Sequence, residues 1–441
     1  MFGLDWGGKD FERHVASDNR ECVMTTEQAL VIVGASLAGA KAAEAARATG
    51  FDGRVVLVGD EDQLPYERPP LSKAVLRGEA APEETRVHDP GFYADQDIEL
   101  LTGRSVEALD VEHQHVRLDD GETLPYTAAI LAVGAAPRRL DIPGADLGGV
   151  HYLRSVHDST ALQDAIRQAG RVAVIGAGWI GSEVAASAKQ MGADVVIVHP
   201  APVPLQRVLG DEIGEVFRQL HADNGVTLRM GTEVAEIRGS NRNGGNGGDR
   251  GHAAEVVLSD GTVVAADLVV VGIGVTPRIE LAVDAGLKVE DGVVVDEYLQ
   301  TSVASVYAAG DIASAWHPHY GRHLRVEHWA NALNQGLAAG ANAAGRHDAY
   351  TRLPYFFTDQ YDLGMEYVGY GDPRDTVVVR GSLADREFIA FWHRDGVVTA
   401  AMNVNIWDVV DDLRGIAASE RAIDPARLAD PSVALSELAS A

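Results

Sequence analysis

The sequence ALVIVGASLAG (residues 29–39) decides the fold of the first half of the chain. Its first five residues are apolar, as in a buried parallel strand, and Gly34 and Gly39 enclose a short turn before an Ala-rich segment of helical composition. This order of strand, glycine turn and helix is typical of a βαβ unit that binds the pyrophosphate of a dinucleotide. A ligand-free strand, turn and helix is the alternative.

Residues around this turn have separate predicted roles. Gly34 lets the chain turn sharply, and Gly39 lets the helix pack close to the strand. Ser36 occupies the middle position, where its small side chain meets the phosphate or must be accommodated beside it, and Ala38 belongs to the same turn. Asp60 follows the next apolar strand, 21 residues after Gly39, about where an acid binds the adenosine ribose hydroxyls.

The same pattern recurs in RVAVIGAGWIG (residues 171–181), where all three glycines of the motif are present. The predicted nucleotide contacts of this second turn are Gly176, Gly178, Ile180 and Gly181. The strand that follows ends at His199, where an acid would favour NAD, so the choice between NADH and NADPH stays open. His199 and Arg207 are candidates for binding a 2′-phosphate, and a solvated surface pair is the alternative.

Composition limits the function classes. The chain has 441 residues, 46% of them hydrophobic and 23% charged, which predicts a globular protein of two or three domains. A formal net charge of -28 argues against nucleic-acid binding. Apolar runs are of strand length, so no membrane span is expected, and residues 1–23 lack the apolar region of a secretory signal. We therefore expect a cytoplasmic protein with no metal site.

The fold class that follows is α/β, with two Rossmann-like dinucleotide-binding domains and a C-terminal α+β domain. From about residue 353 aromatic residues stand among polar ones, which indicates that last, strand-rich domain. The predicted divisions are a disordered extension over 1–27, a first FAD-binding part over 28–145, an NAD(P)-binding domain over 146–267, a second FAD-binding part over 268–345 and a C-terminal reductase domain over 350–441.

Several further motifs resemble the FAD-dependent pyridine nucleotide-disulfide oxidoreductase superfamily over about residues 28–415. They are Gly134 after its strand, Pro277-Arg278 after Gly272 and Gly274, and the segment 306–313 with its Gly310-Asp311 pair. Within that superfamily, RPPLSK (residues 68–73) and EHWANA (residues 327–332) are similar to the ferredoxin reductase branch, which includes putidaredoxin and rubredoxin reductases.

The resemblance implies roles for individual residues. Lys73 would lie at the flavin's N5 and O4 edge with Glu183 beside it, and these two are the candidate catalytic residues. The remaining implied FAD or nicotinamide contacts are Trp329 near the isoalloxazine, Arg138 on the FAD phosphate side, Asp311 at the ribityl and pyrophosphate region, Val106 by the adenine and Gly274. For Val106 a plain strand valine is the alternative.

The function that the resemblance implies is hydride transfer from NADH or NADPH to FAD, followed by single-electron transfer to a 2Fe-2S ferredoxin or rubredoxin-like carrier that serves an oxygenase. Cys22, the only cysteine, precedes the FAD motif, so disulfide reductases and peroxide or NADH oxidases are excluded. The alternative is a redox-signalling flavoprotein resembling apoptosis-inducing factor. For the carrier, the candidate docking cluster comprises His317, His319, Arg322, His323 and Arg325, unless these form only a solvated loop.

Overall fold

The computed structural model describes residues 28–240, 251–372 and 374–440. The predicted extension over 1–27, with Cys22, lies outside the described residues. The first part of the chain contains β1 (Ala29–Val33), α1 (Leu37–Ala48), β2 (Arg54–Val58), α2 (Ala74–Arg77), α3 (Phe92–Asp95), β3 (Ile98–Leu101), β4 (Val106–Asp110), β5 (His115–Leu118), β6 (Thr123–Pro125), β7 (Ala128–Leu131) and β8 (Ala135–Pro137).

A second domain begins at about residue 150. It contains β9 (Val150–Tyr152), α4 (Val156–Gln168), β10 (Arg171–Ile175), α5 (Trp179–Gln190), β11 (Asp194–His199), α6 (Gln206–Asp223), β12 (Thr227–Met230), β13 (Val234–Ser240), β14 (His252–Leu258), β15 (Val263–Ala265) and β16 (Leu268–Val271). Its parallel sheet has the order β12-β11-β10-β16-β9. Because β16 lies inside this sheet, the domain extends past the expected boundary at 267 to Val271.

The chain then returns to the first domain. This segment contains β17 (Val275–Pro277), α7 (Glu280–Asp284), β18 (Val289–Glu290), β19 (Gly292–Val295), β20 (Val306–Ala308), β21 (Ala313–His317), β22 (Arg322–Leu324) and α8 (Trp329–Ala343). The parallel sheet of the first domain has the order β20-β7-β1-β2-β3. All five residues of β1 are buried, as expected for a central parallel strand that is covered on both faces.

The third domain follows Tyr350. It contains β23 (Tyr355–Gln360), β24 (Leu363–Gly369), β25 (Thr376–Ser382), β26 (Glu387–Arg394), β27 (Val397–Val404), α9 (Val410–Ala418), α10 (Pro425–Ala429) and α11 (Leu435–Ser440). Its antiparallel sheet, in the order β23-β24-β27-β26-β25, shares a core with the apolar face of α6 in the second domain. On its other face lie α9, α10 and α11. The predicted class, α/β with a C-terminal α+β domain, is confirmed.

Helices α1 and α8 approach each other to backbone contact. A Cβ at Gly336 would lie 2.3 Å from the carbonyl oxygen of Ala38, and one at Gly340 would lie 2.1 Å from that of Ala42. Only glycine allows this approach. Since α1 begins at the first glycine turn and α8 begins at Trp329, the contact fixes these two starting points relative to each other.

Two features are absent from the described ranges, a membrane-spanning helix and a cluster of metal-binding side chains. None of their helices combines the length and the apolar character that crossing a bilayer requires. No group of three or more His, Cys, Asp or Glu side chains there is arranged to hold a metal ion.

Candidate nucleotide-binding and redox site

The first glycine turn is built so that larger residues do not fit at its ends. Gly34 has φ of +115°, and a Cβ on it would lie 2.3 Å from the carbonyl oxygen of Ala132. A Cβ on Gly39 would lie 1.9 Å from the carbonyl oxygen of Gly34. Ser36 is the N-cap of α1, but its side chain makes no capping hydrogen bond. The N-terminal N–H groups of α1 are therefore not capped by this side chain, as a phosphate site requires.

The second turn repeats this geometry. Gly176 has φ of +105° and a Cβ on it would lie 2.2 Å from the carbonyl oxygen of Gly272, while one on Gly181 would lie 2.2 Å from that of Gly176. Gly178 differs, because a Cβ there would meet no protein atom within 4 Å. The middle of this turn thus borders open space, which is the position where a pyrophosphate approaches the backbone.

A cavity of about 700 Å³ extends from the first turn along the first domain. Gly34, Ser36, Asp60 and Val106 line it. Its guanidinium groups belong to Arg68, Arg104, Arg139, Arg154 and Arg278. At its edge the Arg278 guanidinium lies 2.9 Å from the Asp60 carboxylate. A long cavity with a phosphate turn and several cations fits the ADP portion of FAD.

A second cavity of about 400 Å³ adjoins the first, since Ser36, Arg68 and Arg154 line both. Both glycine turns reach it, Ala38 from the first and Gly178 with Ile180 from the second. The other predicted residues in its lining are Lys73, Glu183, Gly274, Asp311 and Trp329. The site therefore brings together two dinucleotide turns from different domains around one chamber, as a flavin ring facing a nicotinamide requires.

Lys73 and Glu183 form a buried ion pair in the wall of this chamber. The Lys73 Nζ lies 2.8 Å from Glu183 Oε1, and the two side chains are 12% and 4% exposed. Ser72 donates a hydrogen bond to Glu183 Oε2 at 2.5 Å, and Thr358 donates one to Glu183 Oε1 at 2.6 Å. The carboxylate of the second domain is thus held by groups from the first and third domains.

A second ion-pair network lies between the two cavities. Arg154 donates a hydrogen bond to Asp311 at 2.9 Å, and Arg68 donates one to the backbone carbonyl of Arg154 at 2.5 Å. Arg68 also pairs with Glu61 at 2.9 Å. Asp311 is predicted from the sequence in this region, whereas Arg68 and Arg154 are not predicted to have a role there. Arg68 stands in the RPPLSK motif, whereas Arg154 has no motif around it.

Aromatic side chains cover the remaining wall of the chamber. Trp329 and His328 lie at the start of α8, and Phe356 and Phe357 come from β23 in the third domain. The His328 ring lies 4.3 Å from the Phe356 ring, between centroids. Burial lowers the pKa of His328 to about 4, so its imidazole is neutral at neutral pH. An apolar wall of this kind keeps water from the place where hydride is exchanged.

The remaining predicted contacts lie elsewhere. His199 accepts a hydrogen bond at Nδ1 from the backbone N–H of Ala177, at 3.2 Å, beside the second turn. Arg207 is exposed in the first turn of α6. Arg138 lines neither cavity, because its Nε donates a hydrogen bond to the carbonyl of Val275 at 3.0 Å, whereas its neighbour Arg139 lines the first cavity.

Burial or ion pairs involve three of the five residues in the candidate docking cluster. His317 is 3% exposed, His319 pairs with Glu420 at 3.0 Å, and Arg325 pairs with two carboxylates. Of the remaining two, Arg322 lies over the ring of Tyr370, with 5.1 Å to the centroid. His317 and Arg322 are cross-strand neighbours on β21 and β22. Because three of the five residues are buried or paired with carboxylates, the cluster has little free positive charge.

Comparisons with known proteins agree with this architecture. The family described as pyridine nucleotide-disulphide oxidoreductase matches residues 28–336, and the family described as reductase C-terminal matches residues 355–439. The anthranilate 1,2-dioxygenase system ferredoxin–NAD(+) reductase component of Burkholderia cepacia is 41% identical over 92% of this chain and 98% of its own. Putidaredoxin reductase of Pseudomonas putida is 36% identical over 95% of this chain and 98% of its own.

Solved structures give the same result. The covalent putidaredoxin reductase–putidaredoxin complex matches with a TM-score of 0.89 and 36% identity over 94% of this chain and 98% of the matched chain. A ferredoxin reductase of Rhodopseudomonas palustris matches with a TM-score of 0.88 and 36% identity over 93% of this chain and 100% of its own. The two family matches, these relatives and the shared chamber show that the chain belongs to the FAD-dependent, NAD(P)H-using pyridine nucleotide-disulphide oxidoreductase family, with a reductase-type C-terminal domain.

Proposed function

We propose that the chain is an NAD(P)H-dependent reductase that passes electrons through FAD to a small iron–sulfur protein, a 2Fe-2S ferredoxin or rubredoxin-like carrier, which serves an oxygenase. One observation carries the proposal: two dinucleotide turns from different domains open on one chamber beside the Lys73–Glu183 pair. The relatives named as reductase components of oxygenase systems support it. The proposed setting is the cytoplasm, where NADH and NADPH are available.

Residues of the first domain would hold FAD. The turn from Gly34 to Gly39 would bind its pyrophosphate, and the Arg154–Asp311 pair would lie at its ribityl chain. When bound there, FAD supplies a ring that takes up two electrons as hydride and releases them singly. Trp329 and the two phenylalanines of β23 would enclose that ring and exclude water.

Lys73 would stabilise the negative charge that the flavin gains. Its ammonium lines the chamber, and the charge of a nearby cation is most effective where water is excluded. Glu183 holds that ammonium at 2.8 Å and would also orient the carboxamide of the incoming nicotinamide. Neither residue needs to donate a proton, because hydride transfer moves the hydrogen directly between the two rings. Both residues act by charge and position.

The experiment that tests the proposal measures electron transfer to a carrier. Purified protein containing FAD is mixed anaerobically with NADH or NADPH, and then with an oxidised 2Fe-2S ferredoxin whose visible absorbance falls on reduction. We expect the flavin to bleach first and catalytic reduction of the ferredoxin to follow. The variant Glu183→Gln should slow the bleaching, whereas the matched exposed variant Glu79→Gln should not.

Two outcomes would oppose the proposal. Failure of both nicotinamides to bleach the flavin would exclude the reductase mechanism altogether. Rapid bleaching without onward transfer to any of several 2Fe-2S or rubredoxin-type carriers would favour the signalling alternative, in which a slowly reoxidised flavoprotein acts through its partners.

A further inference from the structure

The second glycine turn lacks the acid that selects NADH. In dinucleotide-binding domains an Asp or Glu at the end of the second strand binds the ribose 2′-hydroxyl, and its charge repels the 2′-phosphate of NADPH. Here β11 ends at His199, and no carboxylate occurs before Asp211. Asp211 itself accepts a hydrogen bond from Gln206 at 2.6 Å. The position that would reject a 2′-phosphate is therefore open to one.

The hydrogen bond to His199 determines what the ring offers a ligand. Because Nδ1 accepts from the backbone N–H of Ala177 at 3.2 Å, the neutral ring carries its proton on Nε2. Burial lowers the pKa of His199, which keeps the ring neutral at neutral pH. In the described structure Nε2 makes no other hydrogen bond, so the side chain has one donor and no acceptor to offer. Phosphate oxygens are acceptors only and match this group.

Arg207 is placed at the same turn through a second bond to Ala177. The carbonyl of Ala177 accepts a hydrogen bond from the backbone N–H of Leu205 at 3.0 Å, which ties the start of α6 to the turn. Arg207 follows two residues later on the exposed surface of that helix. Within the described ranges its guanidinium forms no ion pair or hydrogen bond, so it is available to a phosphate.

We infer that this chain uses NADPH at least as efficiently as NADH, with the 2′-phosphate bound by His199 and Arg207. NADPH would then be the electron donor of the proposed function. Only the statement about turnover rests on that function, whereas the binding of the 2′-phosphate does not. We also predict that the protein binds a 2′-phosphorylated nucleotide more tightly than the unphosphorylated one. This preference can be measured at equilibrium, without any electron carrier.

The first experiment compares binding of 2′,5′-ADP and 5′-ADP to the FAD-containing protein by isothermal titration calorimetry. We expect 2′,5′-ADP to bind about tenfold more tightly, as one additional charge-assisted contact would give. Arg207→Gln should remove most of this preference, and Arg207→Lys should retain part of it. The matched control is Arg218→Gln, which removes an exposed cation from the same helix and should leave the preference unchanged.

The second experiment measures kcat/KM for NADPH and NADH with ferricyanide as acceptor. The NADPH value should equal or exceed the NADH value, and His199→Glu should shift the ratio toward NADH by about tenfold or more. Equal or weaker binding of 2′,5′-ADP, or a lower kcat/KM for NADPH, would overturn the inference. Turnover with NADH alone would leave the reductase proposal intact, whereas failure of both nucleotides to reduce the flavin would refute that proposal as well.

Discussion

The two glycine turns have nearly the same backbone and different surroundings. Their first glycines have φ of +115° and +105°, and their last glycines would clash with the first by a similar amount if they carried a Cβ. The first turn has Ser36 at its middle and opens on a cavity with five guanidinium groups. The second has Gly178 there, beside open space, and its following strand ends in His199.

We expect this difference to separate a nucleotide that stays bound from one that exchanges. The first cavity is lined by parts of the first and second domains, with the pair Arg278–Asp60 at its edge and the pair Arg154–Asp311 between it and the second cavity. At the second turn two apolar side chains are open to solvent: Ile180 is 46% exposed, and Ile273, which precedes Gly274, is 36% exposed. We therefore expect one backbone motif to serve both a resident cofactor and a released substrate, with the surrounding residues determining which of the two it binds.

We expect the largest effects from two variants that test whether the two turns bind different nucleotides. In Gly39→Ala the new Cβ would lie 1.9 Å from a backbone oxygen, so the turn must move, and we expect FAD affinity to fall by about a hundredfold or more. In Gly181→Ala the corresponding distance is 2.2 Å, and we expect yellow protein that NAD(P)H no longer bleaches efficiently. Visible absorption spectra before and after anaerobic addition of NADPH and NADH measure both properties.

Gly91→Ala is the control for these glycine variants. A Cβ there would meet only the Asp95 carboxylate, at 3.6 Å, so both FAD content and bleaching should be normal. Loss of FAD from Gly181→Ala, or full retention by Gly39→Ala, would contradict the division of roles between the turns.

Acid should next distinguish two ionisable groups, His221 in the second domain and Glu44 in the first. Burial lowers the pKa of His221, on α6 in the second domain, to about 4 from its usual 6.5. The unfolded chain therefore binds a proton between pH 6.5 and 4 that the folded chain does not, so stability falls as pH falls through this window, by roughly 3 kcal/mol for this group. His221→Gln should reduce the fall in thermal unfolding temperature between pH 7 and pH 4.

The first domain has a half-buried carboxylate, Glu44, whose charged form the fold stabilises. A hydrogen bond from His88, with Lys41 also nearby, lowers the pKa of Glu44 on α1 to about 2 from 4.5. This carboxylate stabilises the fold above pH 4.5, and the contribution is lost only as pH falls toward 2. Glu44→Gln should therefore leave the profile between pH 6.5 and 5 unchanged. If His221→Gln and Glu44→Gln changed the pH dependence of the thermal unfolding temperature equally between pH 6.5 and 5, the loss of stability in that range could not be assigned to His221.

A smaller effect is expected at Thr358, which hydrogen-bonds Glu183 in the wall of the chamber. Thr358→Val removes the hydroxyl that donates to Glu183, a hydrogen bond to a charged group, and we expect hydride transfer to slow about tenfold with FAD content unchanged. Anaerobic stopped-flow measurement of flavin bleaching gives the rate. Thr399→Val, which removes a threonine–carboxylate hydrogen bond to Asp375 in the same domain, should have no effect on it.

The smallest effect is expected when the two turns are made alike. Ser36→Gly gives the first turn the three-glycine pattern of the second, and the Ser36 side chain makes no capping bond that would be lost. We expect FAD affinity to change by less than about threefold, within the few tenths of a kcal/mol typical of a Gly at this cap position. A large loss, measured by fluorescence of released FAD, would show that the hydroxyl itself binds the phosphate.

The sequence predicted the parts of the fold and site that have local signals. Each glycine turn lies between an apolar strand and a helix, so both dinucleotide-binding domains followed from short segments. Strand β16, just beyond the predicted boundary at 267, repeats the pattern of β7, the closing strand of the first unit, and pairs within the second sheet. The apolar pattern of a strand alone does not show which sheet the strand joins.

Contacts between distant segments could not be predicted in this way. Phe356 lines the chamber, and Thr358 reaches Glu183 in its wall, only because the third domain packs on the second. Nothing near these two residues in sequence indicates a redox site. Arg138 and Arg139 illustrate a finer difficulty. In an extended segment adjacent side chains point to opposite sides, so a shift of one residue decides which of the two guanidinium groups lines the first cavity.

The backbone contact between α1 and α8 has a consequence for electron transfer. It joins the first glycine turn, where the FAD pyrophosphate is predicted to bind, to Trp329 through helices whose backbones touch at Gly336 and Gly340. Surroundings that are fixed in this way change little when the charge of the flavin changes, so reorganisation would add little to the barrier for each electron that leaves toward the carrier. The close packing of α1 and α8 would thus favour fast electron transfer from the flavin, although neither helix carries the electron.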